Sequence, residues 1–196
     1  GNGKELWKSD GTDAGTVMVK DINVGNHASP QQLTVVGNTL FFTANDDTHG
    51  KELWKSNGTE SGTMMVKDIN GVGAQSYPDY LTAFGNTLYF SADDGTYGNE
   101  LWKSDGTTSG TTIVQDIKPG SNGNQAQHIT TVGNTIFFKA NAGGGSGYEL
   151  WALDPANVTF GELLKYTFDF KLQVLSSSPD SDGDGVRDDV DLDDDN

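Results

Sequence analysis

The octapeptide ELWKSDGT begins at Glu5, returns as ELWKSNGT at Glu52 and again as ELWKSDGT at Glu100, and reappears in the altered form ELWALDPA at Glu149. Trp7, Trp54, Trp102 and Trp151 are therefore 47, 48 and 49 residues apart. Two further elements keep step with them. VGNTLFFTA starts at Val36, FGNTLYFSA at Phe84 and VGNTIFFKA at Val132; GTVMVKDI, GTMMVKDI and GTTIVQDI start at Gly15, Gly62 and Gly110. A repeat of this length restricts a chain to stacked, similar units, because one unit cannot bury its apolar faces alone.

Each period reads as four short strands. In the second copy they fall at residues 33–36, 39–44, 52–56 and 63–69. Gly37-Asn38 is the dipeptide of a tight hairpin, residues 45–50 are a polar loop, and Asn57-Gly58-Thr59 supplies the next turn. No segment of the repeats keeps a 3.6-residue apolar period, so helix is not expected there. Parallel β-helix coils are shorter than this period, and helical repeats of the same length need the missing periodicity. The remaining architecture is the β-propeller, whose blades take about 40 to 50 residues. Apolar residues form 34% of the chain, and its 19 aromatics recur at regular positions, which suits many thin buried layers. The expected fold is all-β: propeller blades of four antiparallel strands, about three and a half of them, followed by an Asp-rich calcium-loop tail.

These repeats resemble the ELWxxDGT repeat family of bacterial secreted and surface proteins, over about residues 4–154. The resemblance implies an extracellular or cell-surface location and carries no activity with it. The fourth copy departs from the pattern, with Asp154-Pro155 in place of the DGT turn and no GTxxVKDI after it. The expected organisation is a partial blade at 1–22, full blades at 33–70 and 81–117, and a last blade from 129 within a repeat region ending at 154. An irregular segment and a final strand follow at 155–175, then a linker at 176–179 and an acidic repeat at 180–196. Because the chain opens at Gly1 inside a repeat, it reads as a fragment or a processed form. The incomplete ring is expected to be finished by further repeats or by self-association.

Charge and cysteine content remove several function classes. The net charge is −16, and residues 180–196, with nine Asp and one Arg, hold half of it. A surface of this sign repels phosphate backbones, so nucleic acid is not an expected partner, and divalent cations are. With no cysteine there is no disulfide, no thiolate zinc site and no thiol catalysis. No stretch reaches the roughly 18 apolar residues of a membrane helix.

Several repeated residues admit two readings. Trp7, Trp54, Trp102 and Trp151 could present sugar-stacking faces or pack between blades. Asp10, Asn57 and Asp105 could bind a metal, or could hold their own turns through bonds to nearby N–H groups. The loop between the second and third strands varies on a constant frame. It holds Asp46, Asp47 and His49 in one copy, Asp93, Asp94 and Tyr97 in the next, and neutral residues at 143–146 in the last. That is how a ligand-binding rim looks, and also how a solvated hairpin tip looks. His27, His49 and His128 occupy non-equivalent positions without a serine or paired acid, so no catalytic triad is expected. Asn57 and Asn157 stand in N-x-T triplets, which an Asn- and Thr-rich chain contains by chance.

Beyond the repeats, apolar residues alternate from Tyr166 through Phe168, Phe170, Leu172 and Val174, which reads as a single strand with one buried face. The acidic tail then follows calcium-loop spacing. Asp180, Asp182 and Asp184 stand at positions 1, 3 and 5, Gly185 at the sharp turn, the carbonyl of Val186 at 7, Asp188 at 9 and Asp191 at 12. A hard cation wants six to eight oxygens, and alternate residues can all point inward only where glycine permits the bend. A second loop begins at Asp193 and Asp195. The segment resembles a thrombospondin type 3 repeat, which implies calcium as the cofactor; a solvated acidic linker is the other reading.

The whole reads as a non-enzymatic structural or adhesive module, with a protein or glycan of a cell surface as partner. A lectin-like propeller using rim loops or exposed Trp is the alternative.

Overall fold

A computed structural model describes residues 3–117, 126–142 and 147–156, and the backbone of 164–166 and 172–174. The chain is all-β, with its described strands in four antiparallel sheets. The first sheet has two strands, β1 (Leu6–Lys8) and β2 (Val17–Lys20). The second holds β3 (Gln31–Val36), β4 (Thr39–Asn45), β5 (Lys51–Ser56) and β6 (Met64–Lys67). The third holds β7 (Asp79–Phe84), β8 (Thr87–Asp93), β9 (Asn99–Ser104) and β10 (Thr112–Gln115). The fourth holds β11 (Gln127–Val132), β12 (Thr135–Ala140), β13 (Glu149–Leu153), β14 (Leu164–Tyr166) and β15 (Leu172–Val174). Within every sheet each strand pairs with the next in sequence. No helix of the described residues is long and apolar enough to cross a membrane.

Repeated sequence produces repeated register. Phe42 lies opposite Trp54, Phe90 opposite Trp102 and Phe138 opposite Trp151. The first strand of each complete sheet carries the same bulge, with Gln32, Tyr80 and His128 at φ 57°, 55° and 53°. A bulge at that point increases the local twist of the strand.

The core is three layers, one between each successive pair of sheets. Leu6, Val19 and Ile22 of the first sheet and its exit loop meet Phe42, Ala44 and Trp54 of the second. Val36, Phe41, Leu53 and Val66 of the second meet Leu81, Leu88, Phe90 and Trp102 of the third. Tyr89 and Leu101 of the third meet Ile129, Ile136, Phe138 and Trp151 of the fourth. Neighbouring residues of one strand, such as Phe41 and Phe42, thus serve opposite layers, as a two-residue period requires. Burial of each such side chain contributes about 1.5 to 3 kcal/mol.

Two expectations change here. The fourth strand is shorter than residues 63–69: β6 stops at Lys67, because the Ile69 N–H leaves the ladder for the Glu52 carboxylate. The single strand expected from Tyr166 is instead two, since Leu164–Tyr166 takes the fourth-strand place beside β13 and β15 pairs with it. The rim segment 143–146, the linker 176–179 and the acidic repeat 180–196 lie outside the described residues.

Candidate functional sites

The S-D/N-G-T-x-x-G-T motif closes on itself. Asn57 Oδ1 accepts the N–H of Thr59 at 3.0 Å and its hydroxyl at 2.7 Å, while the Gly62 N–H donates to Thr59 Oγ1 at 3.0 Å. The Thr63 hydroxyl donates to the Thr59 carbonyl at 2.7 Å, so the Ser56 hydroxyl must donate to Thr63 Oγ1, also 2.7 Å away. Asp10 and Asp105 repeat the arrangement with Thr12 and Thr107. Those hydrogen bonds favour the carboxylate and hold both Asp side chains below their ordinary range. A Cβ on Gly62 would lie 2.0 Å from Asn57 Oδ1, so the second glycine of the motif exists to admit that side chain. The altered fourth turn keeps one of these bonds, from the Ala156 N–H to Asp154 Oδ1 at 3.0 Å.

The rim loops use their acids in the same inward way. Asp46 Oδ1 accepts the N–H groups of Thr48 and His49 at 3.0 and 2.8 Å, and Asp94 Oδ1 accepts those of Thr96 and Tyr97 at 2.9 and 2.8 Å. Asp93 Oδ1 accepts the Gly95 N–H at 2.7 Å. Asp47 Oδ2 accepts from the Asn26 amide at 2.7 Å, tying the rim to the preceding linker. His49 Nδ1 lies 2.8 Å from Asp46 Oδ2, and this hydrogen bond raises the imidazole above its ordinary value. Burial works to raise the Asp46 carboxyl, but the His49 and Thr48 N–H groups and the imidazole outweigh it and leave it lowered. Of the six rim residues, Tyr97 presents an exposed large side chain. The other histidines are engaged elsewhere: His27 Nδ1 accepts the Lys4 N–H at 2.8 Å, and His128 packs on Tyr80 at 5.3 Å between ring centroids. Among the described residues no group of three or more His, Cys, Asp or Glu gathers as a metal site would need.

Two repeated roles escape a reading of the sequence. The Glu that opens each of the first three ELW triplets is buried and ties down the chain leaving its sheet, whereas Glu149 of the altered fourth copy is half-buried. Glu5 accepts the N–H groups of Ile22 and Ala28 at 2.9 and 3.1 Å. Glu52 accepts those of Ile69 and Ser76 at 3.1 and 2.8 Å, and Glu100 accepts that of Ile117 at 3.3 Å. Burial, with the nearby Asp68 carboxylate adding repulsion, pushes the Glu52 carboxyl up to about 7 against the pull of its donors. Lysines form the second device. Lys8 Nζ donates to the Gly58 carbonyl of the next sheet at 2.8 Å, and Lys55 Nζ to that of Gly106 at 2.7 Å. Lys20 and Lys67 do the same to Thr63 and Thr111, at 3.0 and 2.9 Å. A lysine at one place in successive units was the available signal, but repetition alone does not separate a cross-unit contact from a bond within one unit, as Asp10, Asn57 and Asp105 show.

The tryptophans divide by position in the stack. Trp54, Trp102 and Trp151 are 6%, 5% and 3% exposed, whereas Trp7 is 55% exposed. Trp7 therefore falls outside the core expected of the four. Its equivalents lie against the preceding sheet, and Trp7 stands on the first.

No protein-family model matches the chain, and a search of curated proteins finds no relative.

Proposed function

We propose that the four sheets are successive blades of a propeller-type stack, and that the chain is a non-enzymatic structural or adhesive module of a secreted or cell-surface protein. One observation carries this reading: equivalent residues do equivalent mechanical work in successive units. Lys55 reaches Gly106 as Lys8 reaches Gly58, and Glu52 holds Ile69 as Glu5 holds Ile22. Among the described residues, repeated Asp and Asn side chains hold their own turns and repeated lysines join neighbouring units. The Asp-rich tail would take calcium through Asp180, Asp182, Asp184, Asp188 and Asp191 and the Val186 carbonyl, with Asp193 and Asp195 opening a second loop. This part rests on residue spacing in the sequence.

A lectin-like module is the second reading, and exposed Trp7, with Tyr97 and Tyr148, favours it. A glycan array followed by titration under tryptophan fluorescence separates the two. A structural module leaves the emission unchanged with every sugar. A saturable shift abolished by Trp7→Ala supports the lectin and overturns the purely structural reading.

A further inference from the structure

We propose that the loops at one end of the stack form a preorganised docking face for a basic, arginine-bearing segment of a partner protein. The inference deepens the adhesive reading above, giving it a surface and a kind of partner. The face is built from residues 23–29, 45–50, 70–77 and 93–98. These alternate between linkers that join successive sheets and rim loops that join β4 to β5 and β8 to β9. Each of the four lies between two described strands.

Contacts join the loops into one belt. The Asn45 N–H donates to the Ala28 carbonyl at 3.0 Å and the Asn26 amide to Asp47 Oδ2 at 2.7 Å, tying the first linker to the first rim loop. That rim loop grips the next linker. The Gly73 N–H donates to the Thr48 carbonyl at 3.1 Å, and a Cβ on Gly50 would lie 2.6 Å from the Ala74 carbonyl oxygen. The Asp93 N–H then donates to the Ser76 carbonyl at 2.9 Å, and a Cβ on Gly95 would lie 2.3 Å from Asn70 Oδ1. Loops held this closely give up little freedom on binding.

Out of the belt stand Val24, Val72, Tyr77 and Tyr97, which are 85%, 78%, 56% and 43% exposed. The linker of Val72 and Tyr77 has a rim loop on either side and both side chains are still open, so their exposure belongs to the repeat and not to the first sheet. Apolar groups on successive loops suit a partner that crosses neighbouring sheets, about 10 Å apart in a stack. Charge selects its kind. The four loops carry Asp46, Asp47, Asp93 and Asp94 and no lysine or arginine, with His27 and His49 as their basic groups. Asp46, Asp93 and Asp94 already accept loop N–H groups, which leaves less acceptor capacity for sugar hydroxyls but keeps the negative charge. Arginine meets both features. Its guanidinium stacks on tyrosine and is drawn to carboxylates, while its stem covers valine.

The test uses fluorescein-labelled hexa-arginine and hexalysine with the full chain, read by fluorescence polarisation at low salt. Saturable binding of hexa-arginine is expected, tighter than that of hexalysine and weakened about tenfold by Tyr77→Ser with Tyr97→Ser. That pair leaves the net charge unchanged, so attraction to the acidic tail cannot imitate its effect. Both rings are exposed, and the circular dichroism of the variant should match that of the parent. Should the tyrosine pair disturb the fold, Val24→Ser with Val72→Ser decides by the same criterion. Binding unmoved by these substitutions, a preference for hexalysine, or the absence of saturable binding overturns the proposal. A glycan array on the same chain keeps the two levels apart. If hexa-arginine fails and no sugar binds, the face is overturned and the structural reading stands. If a sugar binds saturably and the tyrosine pair abolishes that binding, the loops are a lectin site and both are overturned.

Discussion

Glu52 and Ser76 are 24 residues apart in the chain and joined twice: the Ser76 N–H donates to Oε1 at 2.8 Å and its hydroxyl to Oε2 at 2.5 Å. With the Ile69 N–H, three donors converge on one buried carboxyl, so the linker between the second and third sheets is fastened where it leaves β6 and again just before β7. The two carboxylate oxygens share these donors, Oε1 taking the Ser76 N–H and Oε2 the Ser76 hydroxyl and the Ile69 N–H.

Burial raises the folded-state value of Glu52 to about 7, above the ordinary 4.5. Between those values the folded state binds more protons than the unfolded one, so this group's contribution is fully present below pH 4.5 and declines as pH rises through 7. Urea unfolding at pH 5 and pH 8 should show the parent losing stability relative to Glu52→Gln across that interval. Identical pH slopes would place the ionisation elsewhere.

Trp54 and Trp7 are the same residue of the same motif in different surroundings. Trp54→Ala should cost about 3 to 5 kcal/mol, the range for emptying a packed aromatic site. Trp7→Ala should cost under about 1 kcal/mol. Urea midpoints of the two variants measure the difference, and equal costs would contradict the layered core.

Asn57 and Gly62 predict a non-additive pair. Gly62→Ala drives its Cβ into Asn57 Oδ1 and should destabilise by about 1 to 3 kcal/mol through a local clash. Asn57→Ala forfeits the Thr59 bonds and also removes the obstructing atom. The double variant should therefore cost less than the sum of the two singles, and a double-mutant cycle reads the coupling directly. Strict additivity would show that Asn57 does not fill the space beside Gly62.

The periodic sequence made β4 and β5 legible to within one residue at each end, because aromatic runs and Gly-Asn turns act locally, while β3 begins at Gln31, two residues before the expected start and ahead of its bulge. The fourth strand was over-read, since the event that ends it is the capture of the Ile69 N–H by Glu52, 17 residues away. Distance in sequence also hid Lys55, whose acceptor Gly106 is 51 residues on. The rim acids Asp46 and Asp94 looked available for a ligand because composition does not say which N–H groups a short loop turns inward. Their own backbone claims them.

The acidic tail gives the remaining prediction, drawn from residue spacing. With Asp189, the five spaced residues Asp180, Asp182, Asp184, Asp188 and Asp191 make six carboxylates in twelve residues, and without a cation their mutual repulsion would favour an extended, protease-sensitive chain. Under the proposed reading calcium would supply the missing positive charge, and glycine at position 185 would permit the bend that such a loop needs for the side chains and the Val186 carbonyl to surround it. Loops of extracellular modules bind at about 10⁻⁴ to 10⁻³ M, a range that keeps such a site filled outside a cell and empty inside it. Calorimetric titration of calcium into the parent should therefore give a weak, saturable heat. In Asp182→Ala with Asp184→Ala that heat should vanish, because two of the side-chain ligands nearest the bend are gone. Over the same concentrations, cleavage at 176–179 should slow in the parent and stay fast in the double variant. Equal heats in the two proteins, or cleavage of the parent indifferent to millimolar calcium, would mean that the alternating aspartates form a solvated linker.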